Sequence, residues 1–314
     1  MDFRIPVGDW IDSLFKWIGA HFGGLFDVLK ALFVGLNDAL VWVFATPPAI
    51  VVILVIAAAG YLARGWRFAI GVVLGLLFVV GVGQWDNATD TLGLVLVAAF
   101  LAIIIAIPLG IWAAKNDTVS KVVKPLMDFL QTLPAFVYLI PALAFFGIGV
   151  APGVIATLIF ALAPGVRLTE LGIRGVDSEV VEAGQAFGAS PRRILRQIQI
   201  PLAMPSIMAG INQIIMLALS MVVIAGLVGA GGLGGDVAKA ISSLRTGLGF
   251  EAGLSVVVLA IILDRFTGSF GQDMGLYSKL RGRRNKAKAA DEQARLEAEE
   301  IIDKGPWLMP GAGR

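Results

Sequence analysis

The sequence predicts an all-α bundle that crosses a membrane about seven times, taking apolar stretches of roughly 17–25 residues as spans. Three observations carry that reading. Of 314 residues, 57% are hydrophobic and 15% charged, too few charges to coat a soluble domain of this size. Mean hydropathy is +0.84. Long stretches carry no charge at all: none falls between Phe129 and Val166, or between Gln197 and Gly235.

The first element covers residues 9–45. Trp10, Leu14, Trp17, Ile18, Leu25, Leu29, Leu32, Leu36 and Leu40 recur at helical spacing, with Asp9, Asp12, Lys16, Asp27, Lys30 and Asn37 on the other face. This amphipathic helix is expected to lie on the outer membrane surface, broken at Gly23-Gly24. Crossing the bilayer would carry its charges into lipid at roughly 2.5–3.5 kcal/mol each near the centre. His21, the single histidine, is then an interfacial residue and not a metal ligand. Asp2 and Asp9 stand where a secretory signal would carry cations, so no cleaved leader is expected.

The seven predicted spans are 46–63, 68–84, 90–114, 130–147, 152–166, 204–229 and 249–265. Pro108, Pro134, Pro141 and Pro164 fall inside them, which membrane helices tolerate where neighbours satisfy the freed carbonyls. The fourth and fifth form a hairpin around FGIGVAPG (146–153), and Glu251 near the start of the seventh is placed at an interface. None of the spans shows a clear mid-membrane charge. The tail, 279–314, opens as KLRGRRNKAK and continues as DEQARLEAEEII. Blocked charge of this kind is solvated, and its basic part suits anionic lipid headgroups.

Orientation follows from lysine and arginine. With the segment between the fifth and sixth spans in the cytoplasm, twenty of the 25 cations are cytoplasmic, and only Arg4, Lys16, Lys30, Lys239 and Arg245 lie outside. The N-terminus is then external and the C-terminus cytoplasmic, in a multi-pass protein of the plasma (inner) membrane.

Several chemistries are excluded. With no cysteine and one histidine, the chain offers no disulfide, no thiolate and little for a metal site. GAGGLG (229–234) fits the dinucleotide spacing G-x-G-x-x-G, but it follows a predicted span and not a strand, so it reads as a tight turn at the outer face. Gly-Lys never occurs, so there is no phosphate-binding G-x-x-x-x-G-K-[ST] loop.

Between the fifth and sixth spans lies EAGQAFGASPRRILRQIQIP, residues 182–201. Asp177 or Ser178 caps a first short helix with Val180, Val181, Ala183 and Phe187 on its apolar face. Gly188 ends it, and Ser190-Pro191 starts a second helix carrying Arg192, Arg193 and Arg196. Pro201 and Pro205 mark the return to the membrane. The expectation is two short helices with a sharp bend between them, presented to a soluble partner.

These residues carry a resemblance. E-A-G-x-x-x-G-x₉-I-x-I-P, from Glu182 to Pro201, is similar to the EAA signature of permease subunits of ABC importers, with Gly184 in place of the second alanine and Ile200 in place of a leucine. INQIIMLALSMVVIAGLVGAGGLG (211–234) and AIILDRFTG (260–268) further resemble permeases for glycine betaine, proline betaine and related compatible solutes. The resemblance implies the transmembrane domain of a type I ABC importer and ATP-driven import of a quaternary ammonium osmolyte. It also implies that Glu182, Ala183, Gly184, Gly188, Ala189, Arg192, Arg193, Ile198 and Pro201 contact a cytoplasmic ATPase. The implied partners are that ATPase, an external substrate-binding protein and a second permease copy. ATP and magnesium would belong to the ATPase, with no cofactor in this chain and no enzymatic role of its own. Asn212, Gln213 and Ser220, the few polar groups of the sixth span, are the expected substrate pathway.

The expected organisation is an external segment at 1–45, two leading spans at 46–85, a permease domain at 86–268 with its coupling loop at 167–203, and a charged tail at 269–314. Two alternatives remain at this stage. One is an ABC permease for methionine or another amino acid, and the other a gradient-driven secondary transporter.

Overall fold

The computed structural model describes residues 5–271, which leaves the charged tail and the first four residues outside it. Every regular element among the described residues is helical: α1 (Val7–Ala45), α2 (Ala49–Arg64), α3 (Trp66–Gly81), α4 (Trp85–Lys115), α5 (Asp117–Thr132), α6 (Leu139–Phe146), α7 (Val150–Arg174), α8 (Ser178–Ala186), α9 (Pro191–Ile194), α10 (Ile200–Leu227), α11 (Gly232–Ser242) and α12 (Thr246–Gly271).

α7 is the centre of the bundle, packed between α4 and α10. Ala156, Ala161, Ala163 and Gly165 lie buried along it, small residues that let backbones approach closely. Such packing holds helices together in lipid, where apolar side chains gain nothing by leaving one greasy surface for another. α4 and α10 contribute Ala98, Ala102, Ala106, Ala218 and Ala225 to the same core. α12 closes the far side against α10 and α11 and meets the α2–α3 hairpin.

Five described helices, α1, α4, α7, the α9–α10 rod and α12, are long and apolar enough to cross a membrane, and the bent α5–α6 pair makes a sixth. α2 and α3 have 16 residues each, about 24 Å of helix against a hydrocarbon core of about 30 Å. The seven equal spans of the sequence reading are therefore corrected in four places.

α1 runs unbroken for 39 residues, so the pair Gly23-Gly24 makes no break. At about 58 Å it is nearly twice the thickness of the hydrocarbon core. Its buried Phe33 packs with Leu94, Phe146, Ala151 and Ala225, all from one end of the bundle. Phe26 stacks on Phe145 at 4.5 Å between ring centroids.

The predicted fourth span, 130–147, is split. Pro134 lacks an N–H and drives Leu133 to extended backbone (φ −69°, ψ 133°), which stops α5. The chain turns by 108° between α5 and the helical segment Ala135–Phe146. α5 is amphipathic, burying Ser120, Val123 and Met127, and Asn116 caps it by accepting from the amides of Thr118 at 2.9 Å and Val119 at 3.2 Å.

Residues 85–89, left between the second and third predicted spans, are not a loop, because α4 already begins at Trp85. Gln84 and Asn87 donate to Asp236 Oδ2 at 3.2 and 2.8 Å, and the Leu233 amide donates to Thr91 Oγ1 at 2.9 Å. These bonds pin the start of α4 to α11.

Finally, the second helix of the 182–201 segment does not end before the membrane. α9 passes through a π turn at Leu195–Gln199 directly into α10, giving one rod of 37 residues from Pro191 to Leu227. Pro201 lies inside this rod, directly after the π turn, and lacks the N–H that would bond back across that turn.

Candidate coupling surface and polar groove

The segment after α7 is built by local backbone chemistry. Asp177 Oδ1 accepts from the Glu179 amide at 2.9 Å and starts α8. Gly188 sits at φ +75°, where a side chain would be strained. Its amide donates to Gln185 O at 2.8 Å and that of Ala189 to Gly184 O at 3.1 Å, so the last carbonyls of α8 are satisfied and the chain reverses. Ser190 begins α9 through its carbonyl, which accepts from Arg193 N at 2.8 Å and Ile194 N at 3.0 Å, while its hydroxyl makes no capping bond.

α8 rests on the rod through one contact region. A Cβ on Gly184 would stand 2.8 Å from Ile198 Cδ1, so the two elements meet closely here. The rest of α8 is uncovered, and none of its residues is buried. The apolar face predicted from Val180 and Phe187 is uncovered among the described residues: Val180 is 42% exposed and Phe187 93%. Glu182, Ala183, Arg192, Arg193 and Pro201 are also exposed, while Gly184, Ala189 and Ile198 form the half-buried seam between α8 and the rod.

Beside this surface lies a groove of about 530 Å³ between α5, α7 and α10, lined by Lys124, Asp128, Gln131, Arg167, Glu170 and Gln213 among others. Asp128 and Arg167 form an ion pair across it. Behind it Glu170 is buried, its side chain 4% exposed. Glu170 Oε1 accepts from Ser120 Oγ at 2.7 Å and Arg174 Nε at 2.9 Å, with Lys124 Nζ 3.3 Å away. A buried carboxylate persists only when hydrogen-bonded and paired, and this one is both. Arg174 Nη2 also donates to the Ala113 carbonyl at 2.8 Å and to Asp117 Oδ1 at 2.7 Å. These residues are absent from the sequence reading. The available signal was Glu170 itself, the one acid between Asp128 and Asp177, four residues before Arg174.

The three polar residues of α10 do not act together. Gln213 and Ser220 are exposed on one face of the helix, with Met216 between them. Asn212 is turned towards α12, where its amide donates to Asp264 Oδ1 at 3.0 Å and its carbonyl oxygen accepts from the Thr267 hydroxyl. The first half of GAGGLG is a turn, as expected for glycines that follow a span: Gly229, Gly231 and Gly232 have positive φ, and α11 begins within the motif at Gly232. Among the described residues no cluster of acidic or histidine side chains could hold a metal ion.

A helical membrane bundle with an uncovered helix at one end and a polar groove beside it has the layout of a transport subunit driven by a soluble partner. Comparison with known proteins supplies the family. The sequence profile described as binding-protein-dependent transport system inner membrane component matches residues 106–275. The glycine betaine/carnitine transport permease protein of Listeria monocytogenes is 48% identical over 272 residues, 85% of this chain and 96% of that one. The glycine betaine transport system permease protein of Bacillus subtilis is 44% identical over 279 residues, 89% of this chain and 98% of that one. The glycine betaine/proline betaine transport system permease protein of Escherichia coli is 43% identical over 280 residues, 89% of this chain and 78% of that one. Among solved structures, an inward-facing form of the MetNI methionine ABC transporter aligns with a TM-score of 0.51 at 21% identity, over 58% of this chain and 89% of that one. At that identity the likeness is one of fold.

The chain belongs to the family of inner membrane components of binding-protein-dependent transport systems. It is a permease subunit of an ABC importer with the type I transmembrane fold, and ATP hydrolysis belongs to a separate subunit. Permeases of this kind work in a dimeric arrangement with an ATPase and a substrate-binding protein.

Proposed function

We propose that this permease imports glycine betaine, proline betaine or a related quaternary ammonium osmolyte, driven by ATP hydrolysis in its partner. The observation that carries the cargo is the identity of 48%, 44% and 43% to three permeases whose names specify glycine betaine, each aligned over 85% or more of this chain. The methionine transporter of similar fold, at 21% identity, carries no cargo argument for this chain. The groove chemistry agrees with a zwitterion. Asp128 and Arg167 pair an anion with a cation in a groove whose lining also carries Lys124, Glu170, Arg174 and the amides of Gln131 and Gln213. Such a path lets a doubly charged, net-neutral solute pass without holding it, since tight binding would slow release.

In this reading α8 and the start of the rod meet the ATPase through Glu182, Ala183, Arg192, Arg193 and Pro201, while Gly184, Gly188, Ala189 and Ile198 hold their geometry. A second copy faces the uncovered side of α10, where Gln213 and Ser220 join the pathway. Asn212 serves the α10–α12 contact instead. ATP and magnesium bind the partner, and the binding protein delivers solute at the external face. The permease proper covers 86–268, with 1–45 as an external segment and 269–314 as a cytoplasmic tail.

The test is reconstitution of permease, ATPase and binding protein in vesicles with labelled betaine. ATP-driven uptake supports the proposal. Uptake that ignores ATP and collapses with the proton or sodium gradient overturns the importer reading for the assembled system. ATP-driven uptake of an amino acid with no quaternary nitrogen, and none of betaine, overturns the cargo.

A further inference from the structure

At the end of α7, beside the coupling surface, one guanidinium ties three helices together. Arg174 is the last residue of α7, and α8 begins at Ser178. Among the described residues α8 holds on to the bundle through its seam with the rod, so movement of α8 reaches the other helices by two routes. One is the rod. The other is the end of α7, and there Arg174 reaches three elements at once: the Ala113 carbonyl in the last turn of α4, Asp117 in the first turn of α5, and Glu170 on α7. Glu170 in turn holds Ser120, which is 5% exposed, one turn further along α5.

We infer that Arg174 and Glu170 are positioning residues that make the α4–α5 corner move with the foot of α8, so that ATPase motion is delivered to the α5 wall of the groove. The inference deepens the permease reading and rests on it. Three features support the assignment. Every bond in the cluster joins α7 to α4 or α5, or orients a group that does. The central carboxylate is buried, so its bonds escape the solvent screening that makes exposed ion pairs weak. The far end of α5 carries Asp128 and Gln131, which line the groove, and α5 stops at the 108° bend, so it can tilt as one short body. A cluster that served only to stabilise the fold would not need to gather at the three-residue link between α7 and the docking helix.

The experiment uses the full complex in vesicles and reads solute imported per ATP hydrolysed, alongside the amount of assembled complex. E170Q and R174M are expected to lower that ratio about tenfold, within the usual range of coupling between sites, and R174K by about threefold. An unchanged ratio in E170Q and R174M overturns the joint, as does a parallel fall of import and hydrolysis that leaves the ratio intact. A second measurement covers variants that assemble poorly. The chain has no cysteine, so D117C with R174C offers the only thiols. Linking them with a short bifunctional thiol reagent is expected to restore the ratio to within about twofold of the unmodified complex. If linking stops import, α5 and α7 must separate during transport and the joint is overturned. A wild-type complex that hydrolyses ATP without importing any solute overturns the permease reading itself, an outcome visible before any variant is made.

Discussion

Gly226 and Gly234 touch backbone to backbone: a Cβ on Gly226 would stand 2.2 Å from the carbonyl carbon of Gly234, and a Cβ on Gly234 would stand 2.0 Å from Val222 O. No rotamer change relieves such an overlap, because the obstructing atoms are main chain. G226A or G234A must therefore push α11 off the end of α10 and strain the hydrogen bond between Leu233 and Thr91. The expected cost is about 3 kcal/mol, the upper range for an overpacked core. Thermal unfolding in detergent is the check, and a melting temperature unchanged in both variants contradicts the close crossing.

Phe187 is 93% exposed at the tip of the docking helix. F187S should leave the isolated permease as stable as before, within about 0.5 kcal/mol. Binding of the ATPase should weaken by about 2 kcal/mol, as when an aromatic anchor leaves an interface. A titration of permease against labelled ATPase measures this, and equal affinities for F187S and the parent would remove Phe187 from the interface.

Gly188 closes α8 at φ +75°. G188V costs about 1–3 kcal/mol of backbone strain and re-aims α8, whereas G188N tolerates the left-handed conformation. Membrane insertion should survive in both variants, with uptake lost in G188V and largely kept in G188N. Normal uptake in G188V would show that the reversal after α8 is not needed for coupling.

Asn37 is buried with its Oδ1 lacking any hydrogen-bond donor, in contact with Gly93 of α4. N37L exchanges an unsatisfied polar group for an apolar one of similar size. The protein should be at least as stable as the parent, because the desolvation penalty of about 1–3 kcal/mol disappears. A lowered melting temperature would mean that Asn37 has a partner in the assembled transporter.

The lysine and arginine distribution predicts an external N-terminus and a cytoplasmic C-terminus. Reporter fusions at residues 8 and 300 should score on opposite sides. Both on one side would mean that α1 crosses the bilayer, adding one span to the seven.

What the sequence makes legible is what depends on near neighbours. The Asp177 cap, the Gly188 reversal and the glycine turn before α11 are all decided within about five residues, and the backbone bonds appear where the side chains predict. Apart from Gln213, the polar groove was illegible for the opposite reason. Ser120 and Glu170 are 50 positions apart, and Asp117 and Arg174 are 57, so their meeting depends on helix packing and on the bend after α5. Asn212 shows a third case. A span that is apolar on every side gives no phase, so the sequence cannot say that Asn212 points to α12 while the adjacent Gln213 points outward. The break expected at Gly23-Gly24 fails because two glycines weaken a helix by only about 2 kcal/mol, which the aromatic packing of Phe26 and Phe33 on α6 offsets.

The unbroken run from Pro191 to Leu227 turns the docking surface and the glycine turn into opposite ends of one lever. Its length is about 55 Å, so a tilt of about 5° at the docking end swings the other end by about 5 Å. The π turn at Leu195–Gln199 sits close to the fulcrum end, where a register slip of one residue would rotate the whole arm by about 100° or be absorbed before reaching it. On the proposed ATPase contact, a small stroke at the docking end is geared up, without any flexible linker, into a displacement of about 5 Å at the other.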